Sequence, residues 1–274
     1  MHIRKTIGLS PNYSTINREE RNYAALLFAA LCLPENAQRF LTACGYHQKI
    51  NDEFGIYFEY AYLRDLWHTI VNEDIKKSIV RNHLKINNID AILNLPLKDI
   101  NQLFGVSGQA SAKCLQYPGK WSISKYHHHF LDNEDFLAIC KFKWAFNIKP
   151  DIVIHLDKDH AICIEAKYES GEGVYPASTQ DKKIFKARSL SSNAIGQIEL
   201  QDYMMQTLLG IQTDSLFLVP HQRKNCKPKV ITWAEAFNCL DTTQMPAFAK
   251  TMIEIFQKSG YKVLKHISVI DLSI

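Results

Sequence analysis

The sequence contains no long apolar run and carries little excess charge. None of its 274 residues lies in a stretch that approaches the roughly 20 apolar residues of a membrane span. The N-terminal segment MHIRKTIGLSPNYSTINREE also lacks the continuous apolar region of a secretory signal. We therefore expect a cytoplasmic protein with no membrane partner. The formal net charge of +4 is too small to indicate an anionic partner by itself.

Several motifs that would indicate other chemistries are also missing. The seven cysteines are scattered and include no C-x-x-C pair, which argues against a disulfide framework and a structural zinc site. No G-x-x-x-x-G-K-[ST], G-x-G-x-x-G, H-E-x-x-H or G-x-S-x-G motif occurs. The adjacent His127, His128 and His129 would alternate between the faces of a strand, so they cannot converge on one metal ion and we interpret them as a polar loop.

What is present indicates a single α/β domain. Hydrophobic residues make up 46% of the sequence, which is enough for a substantial core. Periodic apolar residues and helix-ending signals predict helices over 17–33 and 37–43 and a helical pattern over 59–115. We therefore assign residues 1–274 to one domain that contains a helical insertion at 50–120.

Strand-forming residues dominate two runs at 152–156 and 161–167, which the turn-forming DKDH separates. These runs predict a hairpin inside a sheet. The remaining predicted elements are a helix over 194–209 with Gly210 as a left-handed cap, strands over 215–219 and 261–270, a short helix capped by Thr232, and an amphipathic helix over 246–258.

The residues that can carry chemistry lie at the end of this hairpin. Glu165 and Lys167 share one face of their strand because strand side chains alternate. A turn centred on Lys158 places Asp151 opposite Glu165, with about 5 Å between their β-carbons. Two carboxylates this close favour a hard cation, so we expect Mg²⁺, or Mn²⁺ in its place. The alternative is a solvated surface pair of little consequence.

The segment Lys149-Pro150-Asp151 followed by Glu165-Ala166-Lys167 resembles the PD-(D/E)xK nuclease superfamily. The resemblance implies a restriction-endonuclease-like fold, in which a mixed central sheet is flanked by helices. It also implies Mg²⁺-dependent hydrolysis of phosphodiester bonds, with Asp151, Glu165 and the Ala166 carbonyl as metal ligands. Lys167 would position the attacking water. A role in restriction or anti-phage defence follows only by analogy of fold.

Two more positions resemble the superfamily. The segment REERNYAALL at 18–27 is similar to a first helix that supplies a glutamate, and we favour Glu19 as that metal ligand because Glu20 suits a capping box. The alternative for Glu19 is a partner of the helix dipole. In the helix after E-x-K, Gln197 occupies the place of a helper glutamine, although Gln201 stands where tyrosine is common.

Two basic clusters can meet phosphates, and each lies in a stretch of loop-like composition. They are Lys182, Lys183, Lys186 and Arg188, and Arg223, Lys224, Lys227 and Lys229. The alternative is that they belong to solvated loops. We expect a nucleic-acid partner, with DNA favoured by the resemblance, and a homodimer if the substrate is a duplex. The opposing hypothesis is a non-catalytic nucleic-acid-binding or scaffold protein that keeps the nuclease fold.

Overall fold

The computed structural model describes residues 20–168, 171–222 and 228–258. The strands in these residues are β1 (Gly55–Phe58), β2 (Ile152–His155), β3 (His160–Ala166), β4 (Val174–Tyr175), β5 (Ile195–Gly196), β6 (Gln212–Val219) and β7 (Lys229–Thr232). Five of them form a central sheet in the order β1-β2-β3-β6-β7, and β4 and β5 form a separate pair.

Helices surround this sheet. They are α1 (Glu20–Leu31), α2 (Pro34–Ala43), α3 (Tyr62–Thr69), α4 (Glu73–His83), α5 (Ile89–Leu93), α6 (Leu97–Leu103), α7 (Ile123–Tyr126), α8 (Asn133–Ala145), α9 (Thr179–Ala187), α10 (Gln197–Asp202), α11 (Trp233–Asn238) and α12 (Ala247–Lys258). A π-helical turn, Tyr203–Leu208, continues α10, and Gly210 follows with a φ of +70°. Thr232 and Glu235 form the capping box of α11, which confirms the predicted cap.

The sheet is mixed, as the sequence predicts. Strands β1, β2 and β3 run antiparallel, whereas β3, β6 and β7 run parallel. Ile152 pairs with Ile164, and Ile154 pairs with Ile162, so the predicted register of the hairpin is confirmed. This register brings the chain before β2 alongside the end of β3.

A hydrophobic core lies on each face of the sheet. Helices α1, α2, α11 and α12 pack on the face that carries Ile162 and Ile164. Helices α8 and α10, with much of the segment from α3 to α7, cover the face that carries Val153 and Cys163. The α/β class with helices on both sides of a mixed sheet is therefore confirmed. Glu165 has the same parity as Cys163, so its side chain points toward α10.

The segment 50–120 is helical only in part. Strand β1 lies inside it and pairs with β2 as an edge of the central sheet, so the predicted helical insertion is wrong at Gly55–Phe58. A strand of four residues is too short to show a period of its own beside a long helical pattern. The predicted strand over 261–270 lies outside the described residues.

In the described ranges, no helix is long and apolar enough to cross a membrane.

The described cysteines are free thiols, and burial raises the pKa of the buried Cys44 and Cys140 to about 12. A raised pKa keeps these two thiols protonated near neutral pH, so they are poor nucleophiles.

Candidate active site

Asp151 immediately precedes β2, and its side chain is hydrogen-bonded to the end of β3. The carbonyl groups of Pro150 and Asp151 accept hydrogen bonds from the backbone N–H groups of Tyr60 and Glu59, at 3.0 and 2.9 Å. Both carbonyls are therefore bonded to the chain that follows β1, and neither is bonded to β3. The N–H of Ala166 donates instead to Oδ2 of Asp151 at 2.8 Å. The aspartate side chain replaces a ladder partner, which fixes its carboxylate at the strand end.

Glu165 is buried at 2% exposure and receives three side-chain hydrogen bonds. Nζ of Lys167 and Nε2 of Gln197 both donate to Oε1, each at 2.6 Å. Nε2 of Gln201 donates to Oε2 at 2.6 Å. An ammonium and two amides thus fix the orientation of the carboxylate, and they compensate for its removal from water.

The backbone around Lys167 is equally fixed. Its N–H donates to the carbonyl of Leu218 on β6 at 2.8 Å, and its own carbonyl accepts from Nε1 of Trp233 at 3.1 Å. The buried ammonium therefore has little freedom beyond its own side-chain torsions. It lies between Glu165 and Glu20, whose Oε1 is 3.9 Å away.

Burial disfavours the ionised form of both acidic groups at this strand end, and raises the pKa of each. Burial and the nearby charge of Glu165 raise the pKa of Asp151 to about 7. Burial also raises the pKa of Glu165, although Lys167 and the two glutamine amides act against that rise. Burial lowers the pKa of Lys167, but the charges of Glu165, Glu20 and Asp151 outweigh burial and raise it. Positive charge at this place would favour both carboxylates in their ionised form.

The donor set matches a hard cation. Asp151 and Glu165 supply carboxylate oxygens, and the Ala166 carbonyl faces the Asp151 side because the N–H and C=O of one strand residue point the same way. Across the described ranges, no cluster of three or more His, Cys, Asp or Glu side chains is arranged to hold a metal ion. Mg²⁺ typically needs only one or two carboxylates, since waters and substrate phosphates complete its shell. These residues fit Mg²⁺ or Mn²⁺ on that basis.

Glu20, the first described residue of α1, lies at the site. Its Oε2 accepts a hydrogen bond from the N–H of Tyr168 at 2.8 Å, directly after β3 and Lys167. The interpretation of Glu20 as a capping-box residue does not predict this contact. Glu19, the predicted metal ligand, lies outside the described residues.

Gln201 is a second residue of the site that the sequence alone did not predict. It lies one helical turn after Gln197, so both side chains point to the same side of α10 and reach Glu165. Gln201 is fully buried, and its Oε1 has no hydrogen-bond partner among the described residues. The spacing of four residues between two glutamines was the available signal.

Arg188 is used inside the fold. Its guanidinium donates to Oδ1 of Asn133 at 3.0 Å and to the carbonyl of His127 at 2.7 Å, and it also bonds the carbonyl of Phe130. The same group lies 4.1 Å from the ring centre of Phe136. These contacts tie the end of α9 to the loop before α8, so they give Arg188 a structural role. Its phosphate contact stays a prediction.

We predict that Arg188→Lys lowers the free energy of unfolding by about 2 kcal/mol, because one ammonium cannot replace a guanidinium that serves three acceptors. Thermal unfolding should show a fall of several degrees in Tm. The control is Lys186→Ala, which changes an exposed residue two positions earlier on the same helix. An equal Tm for both variants would contradict this structural role.

The other basic residues have mixed positions. Lys182, Lys183 and Lys186 are exposed on α9, so their stretch is a helix and the predicted loop is wrong. Nζ of Lys229 bonds the carbonyl of Cys44 and lies 4.9 Å from the ring centre of Tyr46. The predicted contacts Arg223 and Lys224, with Lys227, lie outside the described residues.

Comparison with known proteins gives no family for this chain. No family model, curated protein or solved structure matches it. The resemblance to the nuclease superfamily therefore rests on the motif residues and their arrangement.

Proposed function

We propose that this protein is a metal-dependent nuclease of the PD-(D/E)xK type that hydrolyses phosphodiester bonds, with DNA as its substrate. The observation that carries the proposal is the convergence of Asp151, Glu165 and Lys167 at the ends of two adjacent strands. The buried ammonium of Lys167 is 2.6 Å from the Glu165 carboxylate, and the Asp151 carboxylate is close enough for the charge of Glu165 to raise its pKa. Such a combination can bind a cation and still offer a proton donor to a water molecule or a phosphate oxygen.

Each residue has a separate task in this proposal. Asp151 and Glu165, with the Ala166 carbonyl, would hold Mg²⁺ or Mn²⁺, and the bound cation would neutralise phosphate charge and lower the pKa of a bound water. Lys167 would orient the attacking water and donate to the phosphate oxygens. Gln197 and Gln201 would keep the Glu165 carboxylate in one orientation, because each amide holds a different oxygen.

The choice of DNA rests on the resemblance. The exposed lysines of α9 support a nucleic-acid partner in general, since ammonium groups neutralise phosphates of either nucleic acid. Helix α9 begins shortly after Tyr175. Burial raises the pKa of Tyr175, and the charge of Glu165 raises it further, so Tyr175 is near Glu165. The lysines therefore follow a segment that is near the proposed centre.

One observation favours the alternative of a non-catalytic protein. Both oxygens of Glu165 are already engaged by donors from the protein, so this carboxylate can be satisfied without a cation. A structural role for Glu165 would leave a nucleic-acid-binding or scaffold protein that cuts nothing. The two functions differ in a single assay.

We predict metal-dependent cleavage that Glu165→Gln abolishes. The assay incubates plasmid, single-stranded DNA and RNA with the protein in Mg²⁺, Mn²⁺ or EDTA. The wild-type protein should cut DNA in either metal and not in EDTA, which removes the metal. Glu165→Gln should cut in neither metal, because the charge of Glu165 is needed to bind the cation. The control is Glu199→Gln, which changes a glutamate of α10 that pairs with Lys141 at 3.0 Å. Absence of cleavage of every substrate by the wild-type protein would favour the alternative.

A further inference from the structure

Strand β1 is an edge strand with two different faces. Ile56 and Phe58 point toward α1, and the Phe58 ring stacks on Phe28 with 5.5 Å between ring centres. Tyr57 points to the opposite face, which is the face of Asp151 and Glu165, because it pairs with Val153 on β2. Tyr57 therefore lies one strand over from the proposed catalytic centre and two residues along β2 from Asp151, which is about 7 Å of strand length.

Tyr57 and Tyr62 are exposed to 48% and 43%, which is high for aromatic residues beside a core. Tyr62 stacks on the buried Tyr60 with 5.5 Å between ring centres, so its other face is the exposed one. Tyr57 meets Tyr60 and His155 edge to face at 5.6 and 5.3 Å. The tyrosine rings are thus supported from beneath and present a stacking surface.

The support beneath these rings is itself hydrogen-bonded. The hydroxyl of Tyr60 and Nε2 of His155 are 3.0 Å apart. Gly55 gives room for the Tyr57 ring, since a β-carbon at Gly55 would lie 2.9 Å from the Tyr57 hydroxyl. The Tyr57 ring therefore extends along the strand over Gly55, which leaves it lying low on the sheet surface.

Two exposed cations stand at the end of β1 that is nearest to the catalytic centre. Arg21 pairs with Glu59 at 2.8 Å, and Lys149 pairs with the other oxygen of the same carboxylate. One glutamate therefore holds two cations, and the cluster has an excess positive charge. The N–H of Glu59 also donates to the carbonyl of Asp151, which ties the cluster to the proposed metal ligand.

We propose that Tyr57 and Tyr62, together with Arg21 and Lys149, form a binding track for unpaired nucleotides that leads a single strand to the catalytic centre. This inference rests on the proposed function and names its substrate as single-stranded nucleic acid. Exposed rings stack on base faces and cations meet the backbone phosphates, which is the usual combination in proteins that bind single strands. A paired duplex conceals its base faces within the stack, so the two rings distinguish unpaired from paired nucleotides.

The test measures binding without cleavage. A labelled single strand and the matched duplex are titrated with the full protein in EDTA, and binding is followed by fluorescence anisotropy. Electrophoresis afterwards checks that the strand is intact. The variants are Tyr57→Leu with Tyr62→Leu, which removes both rings, and Tyr57→Phe with Tyr62→Phe, which keeps them. The control is Phe248→Leu, a change at a 72% exposed aromatic residue on α12.

The double leucine variant should bind the single strand at least about tenfold more weakly, since each stacked base commonly contributes a factor of about five or more. The double phenylalanine variant and Phe248→Leu should bind within about twofold of the wild-type protein. Unchanged single-strand affinity in the leucine variant, or an equal loss in the phenylalanine variant, would overturn the track.

A second measurement tests the cations. Arg21→Gln with Lys149→Gln should weaken single-strand binding and flatten its dependence on salt, because fewer counterions are released. An unchanged salt dependence would remove these two residues from the track. Failure of the track and failure of the nuclease proposal are distinguishable. If the wild-type protein binds neither the single strand nor the duplex and cuts no substrate, both proposals are wrong. If it binds and cuts, and the tyrosine substitutions change neither, only the track is wrong.

Discussion

We expect Lys167→Met to lower the rate of the proposed cleavage by about a hundredfold to a thousandfold. The loss falls on kcat, because the ammonium would act on the water and on the charge that develops at the phosphate. Methionine keeps most of the side-chain volume, and Glu165 retains its bonds to Gln197 and Gln201. The fold and the binding of metal should therefore survive the substitution.

Single-turnover cleavage with saturating protein measures this effect without a contribution from product release. The matched control is Lys183→Met, which changes an exposed lysine on α9 and should leave the rate within about twofold. Cleavage by Lys167→Met at close to the wild-type rate would show that the lysine has been assigned the wrong task, even if the metal site is correct.

We expect Asp151→Asn to make the metal-free protein more stable at pH 8. Burial and the charge of Glu165 raise the pKa of Asp151 from 3.8 to about 7 in the folded state. The folded protein therefore holds this proton more tightly than the unfolded chain does. Stability is lost as the pH rises from about 4 through 7, by at most about 4 kcal/mol. Asparagine has no proton to lose, and its side-chain oxygen can still accept from the N–H of Ala166.

Thermal unfolding in EDTA at several pH values checks this prediction. At pH 8 the variant should melt several degrees above the wild-type protein, and the difference should disappear near pH 4. Mn²⁺ should reverse the order by stabilising only the wild-type protein. The control is Asp159→Asn, which changes an exposed aspartate in the turn between β2 and β3. A wild-type protein that is the more stable of the two at pH 8 in EDTA would contradict the account of the carboxylates.

The hairpin that carries the site is predictable because its rules are local. The alternation of side chains and the turn-forming residues set the register, which places Asp151 beside the end of β3 before any coordinates are known. The same holds for the capping box at Thr232, since its partner is three residues away. Local sequence thus gives the class of the fold and the core of the candidate site.

The remaining contacts depend on residues that are far apart in the chain. Glu20 accepts a hydrogen bond from the N–H of Tyr168 across 148 positions, and no pattern within the first helix predicts that contact. Arg188 has the composition of a phosphate contact, yet its partners lie more than fifty positions earlier. Charge alone does not show whether a cation faces solvent or the protein. The sequence therefore does not distinguish a basic residue that serves the fold, as Arg188 does, from one that faces solvent, as Lys186 does.

The most direct test of the central claim is calorimetric titration of Mn²⁺ into the wild-type protein and into Asp151→Asn at pH 8. The carboxylates beside Lys167 should bind at least one Mn²⁺ ion per chain, and the variant should lose that binding while keeping its fold. Equal binding by both proteins, or no binding by the wild-type protein, would contradict a divalent-cation site at the end of β3.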